Sequence, residues 1–369
     1  MSERIQTKYE SAGLFLGPTP ATGQHFEDGN NGTNNVLQIH RVQSFNDTWE
    51  LPSENVNQFG QAVPIDRVST TSPTPTFDFS YNPTNGINEY RFGFPVDGTT
   101  SIASGIFDAT SDSKNFFALF TSEGSSAVGN TDRADHRVIA LGNGFISNWD
   151  ISASVGGFME ANVSVEGSNY VVHADSSGNN IPAINPANGS EIDTWQYAIP
   201  VQTSGESSMP TVIQQGGITV ESLPGDDLLG VKLNSANLQS FNVSVPFARE
   251  ALERLGNQFV FARPLQTPID ATVSLDFSVT ELATGTLASI FNNCTQGSYD
   301  FEIKANACLG GSRDDHMVIL VKGARPESEN TSMDIGSARN GSINFTVPIG
   351  TADDTNKGIF LSGSYNNTL

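Results

Sequence analysis

Residues 44–51 read Ser44-Phe45-Asn46-Asp47-Thr48-Trp49-Glu50-Leu51, and residues 240–247 read Ser240-Phe241-Asn242-Val243-Ser244-Val245-Pro246-Phe247. Ser-Phe-Asn opens both stretches, at a spacing of 240 − 44 = 196. Phe45, Trp49 and Leu51 fall on alternate positions, and Phe241, Val245 and Phe247 fall on the matching ones. A period of two places each set on one side of a β-strand.

Working outward, the same spacing carries Gly60 onto Gly256 and Arg67 onto Arg263. Asp78-Phe79-Ser80 recurs as Asp276-Phe277-Ser278, at 276 − 78 = 198. Asp135-His136-Arg137-Val138-Ile139 recurs as Asp315-His316-Met317-Val318-Ile319, at 315 − 135 = 180. Asp150-Ile151 recurs as Asp334-Ile335 and Gly157 as Gly341, both at 184 (334 − 150 and 341 − 157). The matches keep their order, and the drifts fall between them, as loop insertions and deletions produce. Two further strand faces agree. Phe77, Phe79 and Tyr81 match Leu275, Phe277 and Val279, and Met159, Ala161 and Val163 match Ile343, Phe345 and Val347. A slip of one residue would turn such a strand inside out, so preserved phase argues for preserved fold.

One short helix is expected in each copy. Ala248, Ala251, Leu252 and Leu255 stand at i, i+3, i+4 and i+7, with Gly256 as a C-terminal cap. The first copy keeps Val56, Phe59 and Gly60 at those positions, with Pro52 suited to a first turn.

The expected fold is therefore mainly β: two tandem β-barrel or sandwich domains, each with one short α-helix, plus extended arms and a long inter-domain loop. The boundaries are an N-terminal arm over 1–35, a first domain over 36–166, and a partly ordered connector over 167–237. A second domain over 238–349 and a C-terminal arm over 350–369 complete the division. The connector holds two strand-like pieces, Trp195–Ile199 and Gly217–Val220.

Bulk composition sets outer limits. The chain has 369 residues, 37% of them hydrophobic and 23 of them Phe, so it can pack a core. Forty acidic residues against 18 basic ones give a net charge of −22. That charge disfavours a basic patch for nucleic acid or anionic membranes. It suits either simple solubility or a surface that stays near DNA while repelling it. Cys294 and Cys308 lack Cys-x-x-Cys spacing and are expected to be reduced, in a protein that stays in the cytoplasm. No signal peptide and no membrane span are expected. Asn-x-Ser/Thr triplets, as at Asn162 and Asn344, are given no weight without a secretory signal.

No catalytic, cofactor-binding or metal residues are assigned, and no enzyme activity is expected. The Asp135-His136 and Asp315-His316 pairs sit where loop-edge residues are ordinary, and His25, His40 and His173 are scattered. Asp108 and Asp112 lack the remaining oxygen ligands of a calcium loop. No Gly-x-Ser-x-Gly elbow or phosphate loop occurs. Arg67 and Arg263 suggest an ion pair within each copy or between neighbours, against the plainer reading of an isolated surface pair worth ~0–1 kcal/mol.

The stretch from Phe45 to Pro52, followed by Val56-Asn57-Gln58-Phe59-Gly60 and then Phe77 to Tyr81, resembles the start of tail tube proteins of long-tailed bacteriophages. The second copy carries the same layout from Phe241 to Val279. The resemblance covers both repeats but not the arms or residues 167–237. It implies a small β-barrel or sandwich domain with a flanking helix, six of which close into a ring. Rings then stack into a tube with an acidic lumen through which DNA passes without specific binding. With two domains per chain, three chains complete a ring, a homotrimer with pseudo-sixfold symmetry. The implied partners are further copies, other tail proteins (terminator, baseplate, sheath or tape measure), and no membrane. The implied location is the virion tail, assembled in host cytoplasm. A tail terminator or baseplate hub ring is the nearest alternative. A β-sandwich carbohydrate-binding or adhesive protein is a third class, with three Trp and seven Tyr as sugar platforms; Trp49, in the core pattern, is expected to be unsuited to that.

Overall fold

The computed structural model describes residues 9–18, 36–107, 112–122, 125–193, 195–204, 213, 217–222, 237–278, 299–306, 317–332, 340–350 and 354–364. The first part of the chain supplies β1 (Ala12–Pro18), β2 (Leu37–Ile39), β3 (Val42–Glu50), β4 (Ser53–Val56), β5 (Asp66–Ser69) and β6 (Thr74–Tyr81). Helix α1 (Ile87–Phe92) follows, then β7 (Asp97–Ser101), β8 (Lys114–Phe120), β9 (Arg137–Ser154) and β10 (Glu160–Glu166). The middle supplies β11 (Asn169–His173), β12 (Ser177–Asn180), β13 (Gln196–Ala198) and β14 (Ile218–Ser222). The last part supplies β15 (Asn237–Pro246), β16 (Ile269–Ser278), β17 (Tyr299–Ala305), β18 (Met317–Ser332), β19 (Asn340–Ile349) and β20 (Gly358–Gly363).

Among the described residues, sixteen strands join in one antiparallel network whose main path runs β14-β17-β18-β19-β16-β15-β9-β10-β6-β3. Two long strands make it two-layered. The first part of β9 pairs with β8 and β11, and its last part pairs with β10 and β15. In the same way β18 pairs first with β17 and β20, then with β19. Asn143 (φ 50°) and Gly323 (φ 73°) stand where these strands change partners, 323 − 143 = 180 residues apart. A left-handed residue there redirects the chain, and Gly or Asn accepts it at least cost. Asn143 is also held by its side chain, which receives Ile184 N at 2.6 Å.

The buried face of each strand follows its alternation. Phe77, Phe79, Tyr81, Met159, Ala161 and Val163 are buried, as are Leu275, Phe277, Ile343, Phe345 and Val347. They face Leu14, Leu16, Phe116, Met317 and Ile319 of the opposite layer in one shared core. Rings cross the layers at Phe79–Phe116 (6.3 Å) and Phe301–Phe345 (5.4 Å). Ala12–Pro18, within the expected N-terminal arm, is instead a strand with Phe15 and Leu16 fully buried. It satisfies the edge of β8 over seven residues. Gly358–Gly363, in the expected C-terminal arm, pairs with β18 for the same reason. The expected strand pieces of the connector appear as β13 and β14.

Both expected helices are absent. Ala248–Leu255 is one limb of a hairpin, with Leu252 N donating to Ala262 O and Phe261 N to Leu252 O, both at 3.0 Å. Gly256, with φ 87°, makes the turn rather than a helix cap. Residues 52–60 likewise enter the β4–β5 hairpin, and Gly60 has φ 88°. An eight-residue helix is marginal in water, and pairing with the returning limb satisfies the same backbone groups. Among the described residues the one α-helix, Ile87–Phe92, lies elsewhere, between glycines 86 and 93. Asn88 ties it to β2, accepting from His40 N (3.0 Å) and donating to His40 O (2.9 Å).

The sheet spacing also corrects two matches. Asp78 lies opposite Asn46, whereas Asp276 lies opposite Ser240, the residue 196 after Ser44. The ladder thus keeps 196 through this region, and Asp276 stands at the place of Ser80 rather than Asp78. Bulges fall at Ser164/Val165 in β10 and across from Asn344/Phe345 in β19, a spacing of 180 rather than 184. Asp334 lies outside the described residues.

Trp149, fully buried, donates from Nε1 to Tyr81 OH (3.3 Å), and Tyr81 OH donates to Glu89 Oε1 (2.7 Å). Burial holds the Glu89 carboxyl above its usual range, although the bond from Tyr81 opposes that shift. A carboxyl held high favours the fold below its unfolded value of about 4.3, and this stability is lost as pH rises through the folded value. Glu89→Gln keeps the acceptor without the charge. It should raise the melting temperature at pH 8 and leave it nearly unchanged at pH 4, as measured by calorimetry. Phe94 packs against Trp149 (5.9 Å) and Phe247 (5.8 Å), bridging the early and late parts of the chain. Phe94→Ala should cost about 3–5 kcal/mol in denaturant melts.

Candidate assembly interface

Pairing order repeats along the chain. One set runs β3-β6-β10-β9-β8-β1, and another runs β15-β16-β19-β18-β17-β14. The two sets meet where β15 pairs with the last part of β9, from Ser240↔Ser154 to Pro246↔Asn148. At this junction Val245 and Phe247 are fully buried, Val245 opposite Trp149. The strand stands in mid-sheet, so neither its backbone edges nor its apolar face meets water.

The residues 196 earlier have the opposite fate. Trp49 and Leu51 are 61% and 51% exposed. Trp49 is thus not the core residue its alternation suggested. The cause is position: β3 pairs with β6 on one side, and no described strand pairs with its other edge. At the far end of the sheet, the last part of β18 pairs with β19 alone. Among the described residues, the main sheet therefore carries two open edges, one resembling β15 and the other resembling β9. Open edges of this length attract another strand.

The hairpins repeat this asymmetry. Arg263 is 2% exposed; it donates to Glu166 Oε2 (2.8 Å) and to Gly167 O (3.1 Å). Arg249 donates to Ile106 O (2.6 Å) and Arg263 O (2.9 Å), and its guanidinium lies 4.7 Å from the Phe145 ring centre. Burial pushes Arg249 down to about 10 and lowers Arg263 too, while Glu166 partly restores both. So the Arg263 ion pair joins the two sets of strands. Arg67 is exposed and donates to Ser53 Oγ at 2.6 Å. Phe59 and Leu255 stand fully exposed at the hairpin tips.

The outward face of the long sheet is a carpet of small polar groups. Thr48–Thr76 (2.6 Å), Ser44–Ser80 (2.7 Å), Ser274–Asn344 (2.7 Å) and Asn344–Ser328 (3.1 Å) link neighbouring strands by side chains. Asp78, Asp150 and Asp276 lie on this same face, opposite Ser164, Asn162 and Ser342. Asp276 receives Ser240 Oγ at 2.5 Å.

Asp135 accepts from Ser122 Oγ (2.5 Å), and His136 Nδ1 lies 2.8 Å from Ser176 Oγ. Burial lowers the His136 pKa, with Asp135 and Asp132 opposing and Arg133 reinforcing that shift. The pair thus fastens loops at the start of β9. Asp315, His316, Cys294, Cys308 and Asp108 lie outside the described residues. Among the described residues, no three His, Cys, Asp or Glu side chains gather as a metal site, and no helix is long and apolar enough to cross a membrane.

Fold and edges define an antiparallel β-sandwich whose main sheet ends in two open strands that match an internal junction. No protein-family model and no curated protein matches the chain. Among solved structures it is similar to the SPP1 tail tube, determined by solid-state NMR and cryo EM, at 12% identity and a TM-score of 0.26. That match covers 41% of this chain and 79% of the SPP1 chain.

The two arginines should separate on mutation. Arg263→Ala should cost ~3 kcal/mol of chain stability, the low end for a broken buried pair because Glu166 keeps contact with water. Arg67→Ala should change the stability of the isolated chain by under ~0.5 kcal/mol. Urea melts of both variants compare the two.

Proposed function

We propose that this chain is a non-enzymatic virion protein with an internal duplication, and that its copies join through their open strands into rings that stack as a phage tail tube. The observation that carries this is the match between the internal β9–β15 junction and the two open edges. Applying the same junction between chains puts β3 of one copy beside the last part of β18 in the next. Positions in β15 and β9 at the junction sum to 245 + 149 = 394. Shifting by 196 and 180 gives 394 − 196 + 180 = 378, so Trp49 faces Glu329 and Thr48 faces Asn330. A head-to-tail contact of this kind closes into a ring when its rotation allows. Three chains with two units each give six units.

The reading also accounts for Trp49, Leu51 and Arg67, which lie exposed where their partners in the second unit are buried. Ring closure would cover them. The polar carpet with Asp78, Asp150 and Asp276 then lines the bore. Like charge keeps phosphates from adhering, and hydroxyl and amide groups hold a water layer, so a genome passes without being gripped. The net charge of −22 agrees in sign.

A chain in which Cys294→Ser and Cys308→Ser remove the native thiols, and which carries Thr48→Cys and Asn330→Cys, tests the register, because residues directly opposite on paired strands are close enough to bridge. Oxidation should give covalent dimers and trimers on a non-reducing gel, ending at the trimer, and either cysteine alone should give no trimer. Electron micrographs should show hollow rings or tubes. Assemblies that form without this cross-link would refute the strand register, and a protein that stays monomeric at high concentration would refute the function.

A further inference from the structure

We infer that the outer edge of β11 is a second, separate contact surface for another copy of this chain, and that it is covered by the second unit of the preceding copy. This placement rests on the ring assembly proposed above and adds a contact that the main sheet does not make.

Two strands flank the first parts of the long strands in the same way. β11 pairs with β9 from Asn169↔Gly142 to His173↔Val138. β20 pairs with β18 from Lys322↔Gly358 to Met317↔Gly363. Leu141 and Val321 differ by 180, and their partners Tyr170 and Ile359 differ by 359 − 170 = 189. Ile139 and Ile319 repeat the relation through Val172 and Leu361, again at 189. β11 and β20 therefore occupy corresponding places.

Their surroundings differ in one respect. The far edge of β20 is covered by β7, a strand of the first unit, at Phe360↔Ser101 and Ser362↔Asp97. The units are thus joined twice within a chain, once by β9–β15 in the main sheet and once by β7–β20 in the other layer. Ile359, Phe360 and Leu361 are fully buried there. At β11, no described strand lies on the far edge. None of its five residues is fully buried, and Val172, in the place of Leu361, is 61% exposed.

A short strand with an open edge and an exposed Val is an incomplete contact. Within the chain, the earlier unit supplies the cover for the later one. Around a ring, the unit before the first unit is the second unit of the neighbouring copy, so the same contact falls between chains. The occupant is therefore a second copy, and the bond is a backbone ladder closed by apolar packing on Val172. Each boundary between chains would then hold two ladders in different layers, as the boundary inside the chain does. Two ladders fix the angle between units, which a single flexible ladder leaves free.

Hydrogen–deuterium exchange on full-length assembled rings and on dissociated chains reads the contact directly. Amides of Asn169–His173 should exchange at least tenfold more slowly in rings. Val172→Glu, placed on an exposed side chain, should leave the melting temperature of the unassembled chain unchanged and lower the yield of rings at least tenfold. Val172→Ile should assemble normally. Rings that carry the Thr48–Asn330 cross-link while β11 exchanges as fast as in single chains would overturn the β11 contact and leave the main-sheet assembly standing. Failure of the cross-link and of ring formation together would overturn both.

Discussion

Everything in this molecule depends on where a strand edge finds its partner. A β-strand leaves N–H and C=O groups along both sides, and these need hydrogen bonds whenever water is excluded. Ser240 to Pro246 find theirs on the last part of β9, and this ladder turns two similar sets of strands into one continuous sheet. The ladder also decides what is buried. Val245, and Phe247 just beyond it, disappear into the core because β15 lies in mid-sheet. Trp49, on a strand that no described strand pairs on its other side, and Leu51 just beyond it stay in water.

The junction is reinforced away from the ladder. Phe94 reaches from the end of α1 to Phe247. Arg249 and Arg263 leave the late hairpin for carbonyls and a carboxylate of the early part of the chain. Glu253 accepts from Ser72 N at 2.9 Å, so even the two hairpins touch. Few of these partners are charged pairs. Most are backbone carbonyls, whose charge-assisted bonds from a guanidinium are strong and also fix its orientation. The result is a boundary that is specific in angle as well as in register.

Much of the sheet was legible from alternation. Phe77, Phe79, Leu275, Phe277, Ile343 and Phe345 fall on the buried face that a period of two assigns them. The places where the sequence misled have identifiable causes. Ala248, Ala251, Leu252 and Leu255 fit a helical stripe, but in an eight-residue segment a returning limb offers the same hydrogen bonds with less ordering. Asp78-Phe79-Ser80 and Asp276-Phe277-Ser278 match by identity yet stand two places apart in the ladder, because pairing follows the bulge at Ser44 and Ser240 and not the letters. Helix α1 escaped notice because its six residues are too few to show a period, and the flanking glycines were its only local signal. The strand Ala12–Pro18 was missed because its polar, Gly-rich flanks dominate the stretch.

By itself, the sequence determined the class of fold, the faces of the principal strands and the recurrence of one pattern. These are local properties: a side chain's face follows from its parity, and parity is written in the residue order. Only the tertiary structure decided which edges meet and which remain open. Val245 and Trp49 sit at matching positions in similar strands, and nothing in either segment says that one will be covered and the other exposed. That difference comes from chain connectivity, because a finite row of units joined head to tail has an interior boundary and two ends.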